Sequence, residues 1–175
     1  LEWIEQEMGS PDKGYASSLS AETNEMEGAH YLWTESELYE ALGKAQGEQL
    51  EELWGTFAKS PDPLFLPRLV DEDLLSVERQ EEIFNELHMD RKKLTSPKRD
   101  EKRSCFQHAL LVRAYLDAGT ALGDQIWIIK AKNLLIWMEN SFSQRDGSVC
   151  ALLYPNKNKS SWACLEDYTL WAEAV

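Results

Sequence analysis

The chain has 175 residues, a hydrophobic fraction of 43%, seven tryptophans and a formal net charge of -13. That length and apolar content suit one domain with a substantial core and exclude a disordered chain. The acidity excludes a nucleic-acid or anionic-membrane partner, because binding phosphate needs a basic face.

Residues 1–8 carry Trp3, Ile4 and Met8 on one helical face, and Gly9-Ser10-Pro11 ends that helix. Residues 14–28 are predicted as a loop and 29–33 as a short strand. Thr34-Glu35-Ser36-Glu37 has capping-box spacing, which predicts a helix running to Leu42 and stopping at Gly43. A second helix is predicted over 46–57, with Leu50, Leu53, Trp54 and Phe57 on its core side. Ser60-Pro61-Asp62-Pro63 breaks it, and 64–70 follows as an extended apolar connector. The next helix is expected over 73–87, fraying toward Leu94, with Leu74, Val77, Ile83, Phe84 and Leu87 facing the core.

Lys98 to Arg103 is a compact run of charge that leads straight into an apolar helical pattern. Helices over 104–120 and 124–142 are predicted as an antiparallel pair, because the link at 119–123 is too short for any other arrangement. Leu111, Tyr115 and Ala118 form one stripe, and Ile128, Ala131, Leu135 and Met138 the other. A turn at Arg145-Asp146-Gly147, a small hairpin spanning 149–160 and a final helix over 164–175 complete the pattern. The expectation is a mainly α chain that divides into an acidic part, 1–97, and a helical part, 98–175.

Cys105, Cys150 and Cys164 make no CxxC motif and no even disulfide framework, so buried free thiols and a reduced, cytoplasmic setting are expected. No apolar run approaches the roughly 20 residues that span a bilayer. His30 and His88 are isolated from other ligand-type side chains, so neither a metal site nor a cofactor is predicted. The chain starts without Met and stops inside the apolar pattern Trp171-Ala172-Glu173-Ala174-Val175, which reads as a fragment of a longer protein.

Several segments occur in the order found in one family. They are Gly14-Tyr15-Ala16-Ser17-Ser18-Leu19-Ser20-Ala21-Glu22-Thr23, Glu27-Gly28-Ala29-His30-Tyr31-Leu32-Trp33-Thr34, Arg91-Lys92-Lys93-Leu94, Arg99-Asp100-Glu101-Lys102 and Leu165-Glu166-Asp167-Tyr168. Together they resemble the spermatogenesis-associated protein 20 family, in which a thioredoxin-like domain precedes an (α/α)6 toroid similar to N-acylglucosamine 2-epimerases and six-hairpin glycosidases. The resemblance implies a partial toroid of helical hairpins with short β-hairpin loops. It also implies that the thioredoxin-like domain and the closing helices belong to the remainder of the polypeptide. Ser20 and Glu22 stand where the family carries loop aspartates, and Gln107-His108 where it carries Trp-Asn.

The toroid would bring Asp100, Glu101, Glu166 and Asp167 to one rim, where sugar chemistry wants two opposed carboxylates. The same aspartates could instead cap helices or pair with Arg99 and Lys102. His108 could move a proton in an epimerase-like reaction, or be held by a backbone carbonyl. Tyr31, Trp33, Trp162 and Tyr168, with Lys102, are the candidates for holding a sugar ring, although such aromatic residues also serve as core. Two functions remain open: sugar epimerisation or hydrolysis, and a degenerate toroid that binds a ligand or protein without turnover.

Overall fold

The computed structural model describes residues 1–12, 14–57, 63–155, 159 and 162–175. In chain order, a π-helical turn (Ile4–Met8) is followed by strands β1 (Ser18–Leu19), β2 (Glu22–Thr23), β3 (Met26–Glu27) and β4 (Trp33–Thr34), then helices α1 (Glu35–Leu42) and α2 (Lys44–Trp54). Strand β5 (Leu64–Phe65), helix α3 (Val77–Arg91) and strands β6 (Arg99–Asp100) and β7 (Arg103–Ser104) lead to the long helices α4 (Cys105–Leu122) and α5 (Gln125–Phe142). Strand β8 (Leu152–Leu153) and helix α6 (Leu165–Ala174) follow. The protein is mainly α-helical, with four short antiparallel strand pairs among the described residues. It forms two compact units, one of Ser20–Lys98 and one that joins Leu1–Leu19 to Arg99–Val175.

In the Ser20–Lys98 unit, β2 and β3 form a hairpin across Asn24 and Glu25, both with positive φ (53° and 64°), the left-handed pair that a two-residue turn requires. Residues 28–32 turn rather than extend, because the amides of Tyr31 and Leu32 both donate to the Gly28 carbonyl, so the strand expected over 29–33 begins only at Trp33. The Thr34 box forms as expected: its Oγ1 accepts from the Glu37 amide at 3.3 Å, and the Glu37 carboxylate accepts from the Thr34 amide at 2.8 Å. Helix α2 stops at Trp54, where Gly55 takes φ 65°, and this leaves Phe57 exposed instead of in the core. Ser60, Pro61 and Asp62, expected to break the second helix, lie outside the described residues.

Helix α3 starts at Val77 rather than 73, because Ser76 caps it by accepting from the Arg79 amide; Leu74 and Val77 are consequently exposed. Trp33, Leu38, Leu50, Trp54, Phe65, Ile83 and Leu87 make the core. Buried Gln80 ties the connector to α3. Its Oε1 accepts from the Val70 amide, and its Nε2 donates to the carbonyls of Val70 and Leu75.

In the other unit α4 packs against both α5 and α6. The α4–α5 hairpin closes where Gly123 adopts the left-handed φ of 65°, and Gly119 lets α5 approach so closely that an added Cβ would stand 2.5 Å from Ile128 Cγ1. Tyr115, Ala131 and Met138 lie in the core as the periodicity predicts, joined by Cys105, Ala109, Val112, Phe142 and Cys150. Strand β1 pairs with β6, and β7 with β8. The expected hairpin over 149–160 is replaced by this β7–β8 pair and a bridge from Leu153 to Lys159; residues 156–158 and 160 of that tract lie outside the described residues.

Thr34→Ala is expected to lower stability by about 1 kcal/mol, with Thr34→Ser losing far less, read as the shift in urea midpoint at unchanged slope.

Candidate functional site

The charge run at the start of α4 is tied up within itself and with residues 7–10. Arg99 donates through Nη1 to the carbonyls of Glu7 and Gly9, each at 3.0 Å, and through Nη2 to Ser10 Oγ at 3.0 Å. The same guanidinium grips Glu101, from Nε at 2.8 Å and from Nη2 at 3.1 Å, and holds that carboxyl below its ordinary range. Asp100 sits 2.7 Å from Lys102 Nζ and accepts from the Lys102 amide at 3.2 Å, which lowers its pKa and raises that of Lys102.

His108 is only 2% exposed. The Tyr15 amide donates to its Nε2 at 3.0 Å, so Nε2 is the bare nitrogen and Nδ1 carries the proton, which goes to the Ser104 carbonyl at 2.7 Å. Its ring stacks on Trp137 with centroids 5.0 Å apart. Burial drives its pKa down to about 4, despite the opposing pull of the Ser104 carbonyl. Asp167 is buried at the third position of α6, where Oδ2 accepts from the Cys164 amide at 2.9 Å and from the Cys164 thiol at 3.2 Å. Cys164 itself is exposed, unlike the buried Cys105 and Cys150.

The sugar-holding candidates have separate surroundings. Trp33 is buried in the Ser20–Lys98 unit with the Arg91 guanidinium 3.9 Å above its ring, and Tyr31 donates its hydroxyl to the Ser20 carbonyl at 3.3 Å. In the other unit Trp162 is exposed, and the Tyr168 hydroxyl accepts from the Val149 amide at 3.2 Å. Asp100 and Lys102 are brought together directly, whereas His108 and Asp167 each bond to other partners. Among the described residues no group of three His, Cys, Asp or Glu side chains could hold a metal ion, and no helix is long and apolar enough to cross a membrane.

A polar cluster that the sequence did not reveal stands beside the π-helical turn. Glu5 accepts from the Tyr15 hydroxyl at 2.6 Å, from the Tyr115 hydroxyl and from Lys130 Nζ at 2.6 Å, while Tyr115 also donates to the Tyr15 oxygen at 3.1 Å. Burial opposes the Glu5 charge, but Lys130 and the two tyrosines outweigh it and lower the pKa. The tyrosines shift the other way: burial and the Glu5 charge push Tyr15 up to about 12 and raise Tyr115 as well. A cavity of about 330 Å³ opens beside this cluster, with Ser10, Asn133 and Leu134 among its walls.

A second cavity, of about 460 Å³, is lined by Glu101, Arg103, Trp137, Asn140, Ser141 and Tyr154, among others. Arg103 donates to Asp12 at 2.8 Å and to the Glu101 carbonyl at 3.4 Å, and its buried Nε has no hydrogen-bond partner among the described residues. Local pattern offered no way to find either cavity. Each assembles from segments far apart in the chain, and neither carries a spacing motif.

The unfolded chain takes up the His108 proton near pH 6.5 and the folded chain only near pH 4, so stability falls as pH drops through that window. The loss is about 3 kcal/mol. In His108→Gln this limb of the stability–pH curve, measured by urea unfolding, should flatten. Tyr115→Phe removes one donor to an ionised carboxylate and should cost about 2 kcal/mol at unchanged helical circular dichroism. No protein-family model matches the chain and no curated protein matches it significantly, so the residues themselves carry the functional reading.

Proposed function

We propose that the chain is a segment of a helical-hairpin toroid of the spermatogenesis-associated protein 20 type, and that it binds a carbohydrate without turning it over. The resemblance of its ordered motifs supports the first part, and the stacking of α4 between α5 and α6 is compatible with hairpin architecture. One observation carries the second part. Every candidate acid or base has its reactive atoms engaged inside the protein: Asp100 with Lys102, Glu101 with Arg99, Asp167 with Cys164, and His108 with two backbone groups. Epimerisation and glycoside hydrolysis both need a proton donor or acceptor free to meet the substrate.

The 460 Å³ cavity is the place for the ligand. It offers an indole for the C–H face of a sugar ring, together with the side-chain amide of Asn140 and the hydroxyls of Ser141 and Tyr154. In this reading the remaining polypeptide supplies a thioredoxin-like domain and closing helices, in the cytoplasm.

The test is thermal unfolding against a panel of hexoses, N-acylhexosamines and sugar phosphates, with product analysis of the same mixtures. A binder raises the unfolding midpoint in proportion to the logarithm of its concentration, and Asn140→Ala with Tyr154→Ala should abolish that rise. If no sugar shifts the midpoint, the carbohydrate reading fails. If product forms and is lost in Asp100→Asn, the claim of no turnover fails.

A further inference from the structure

Helices α5 and α6 flank α4, and each is apolar on the side turned away from it as well as on the side that packs. On α5 the outer stripe is Ile126, Ile129, Asn133 and Ile136, and the three isoleucines are 56–60% exposed. On α6 it is Leu165, Tyr168, Ala172 and Val175, and Leu165 and Val175 are 79% and 74% exposed; Trp162, 85% exposed, lies on the same flank. Both stripes follow the spacing i, i+3, i+7, i+10, which keeps four residues on one face of a helix. A helix apolar on two sides is the kind that proteins bury between neighbours.

The charges beside the two stripes differ in sign. Lys130 and Lys132 flank the α5 stripe with Glu139, whereas Glu166 and Glu173 flank the α6 stripe without a lysine or arginine on that helix. Lys132 and Glu166 have no ion-pair partner among the described residues. Pairing α6 with another α6 would gather four glutamates, and pairing α5 with α5 would oppose lysines. Only α5 against α6 sets unlike charges beside matching apolar stripes.

We infer that the α5 face of one copy of this chain docks on the α6 face of a second copy, in a head-to-tail association. A contact between two different faces leaves one of each face open at the ends, so copies add on until a ring closes. The net charge of -13 repels copies at long range, and added salt therefore promotes the assembly by screening that repulsion while the apolar stripes still match. The association needs no ligand, so its failure would leave the proposed sugar binding untouched, and the reverse also holds.

Sedimentation velocity on three proteins tests this. The unaltered chain should grow beyond a dimer as its concentration rises. Ile129→Glu with Ile136→Glu, and separately Leu165→Lys with Ala172→Lys, should each stay monomeric while keeping helical circular dichroism, since all four positions are at the surface. Mixed in equal amounts, the two variants retain one intact α5 face and one intact α6 face between them, so a dimer and nothing larger should form. An unaltered chain that is monomeric at every concentration would mean that something other than a second copy covers these faces, and would overturn the inference. So would one variant that still dimerises alone, which would mean a face pairs with itself, or a mixture that stays monomeric.

Discussion

The ionised carboxylate of Glu5 holds the first nineteen residues onto the helices of their unit. It receives Lys130 from α5, the Tyr115 hydroxyl from α4 and the Tyr15 hydroxyl from the segment after the π-helical turn. Each donor alone is worth little net of the water it displaces, but a charge in these surroundings must have all its partners or become a liability. Tyr115 is fully buried and stacks on Trp127, so its hydroxyl has one place to point. Arg99 completes the attachment by holding the carbonyls at the end of the π-helical turn, which lets β1 meet β6.

That attachment also decides the state of His108. The Tyr15 amide reaches Nε2 only because residues 1–19 are fastened across α4, and once it does the imidazole has no free lone pair. A histidine that could shuttle protons in an open cleft is here a core side chain with a fixed tautomer. The rim carboxylates meet a similar end by a different route, since each lies within two or three residues of a donor that neutralises or caps it. The chemistry that survives is recognition by shape, stacking and hydrogen bonding.

Much of the helical skeleton was legible. The Thr34 to Glu37 spacing announced α1 because a capping box is a local bargain between residues three apart, and the short Gly119–Gly123 link announced the α4–α5 hairpin for a similar reason. What stayed hidden depends on distance along the chain. Tyr115 lies 110 residues from Glu5, and no periodicity links them. Two-residue strands such as β1 and β6 are too short to show alternation. Leu74, Val77 and Phe57 were assigned to the core because an apolar residue next to a helix looks like core until the cap or stop is placed; Ser76 and Gly55 move those boundaries by a few residues and turn the side chains outward.

The unit built from Leu1–Leu19 and Arg99–Val175 is interrupted by the whole of the other one. Its N-terminal piece leaves the ribosome first yet finds its partners last, because α4 and α5 do not exist until the chain is nearly made. Ser20–Lys98 has its own core and can condense while that piece waits. Closing β1 onto β6 then joins segments whose intervening chain is already folded, so a shorter effective loop has to be closed than the sequence separation suggests. The order of synthesis and the nesting of the two units therefore work together: the inserted unit serves as the clamp that brings the ends of the outer one within reach.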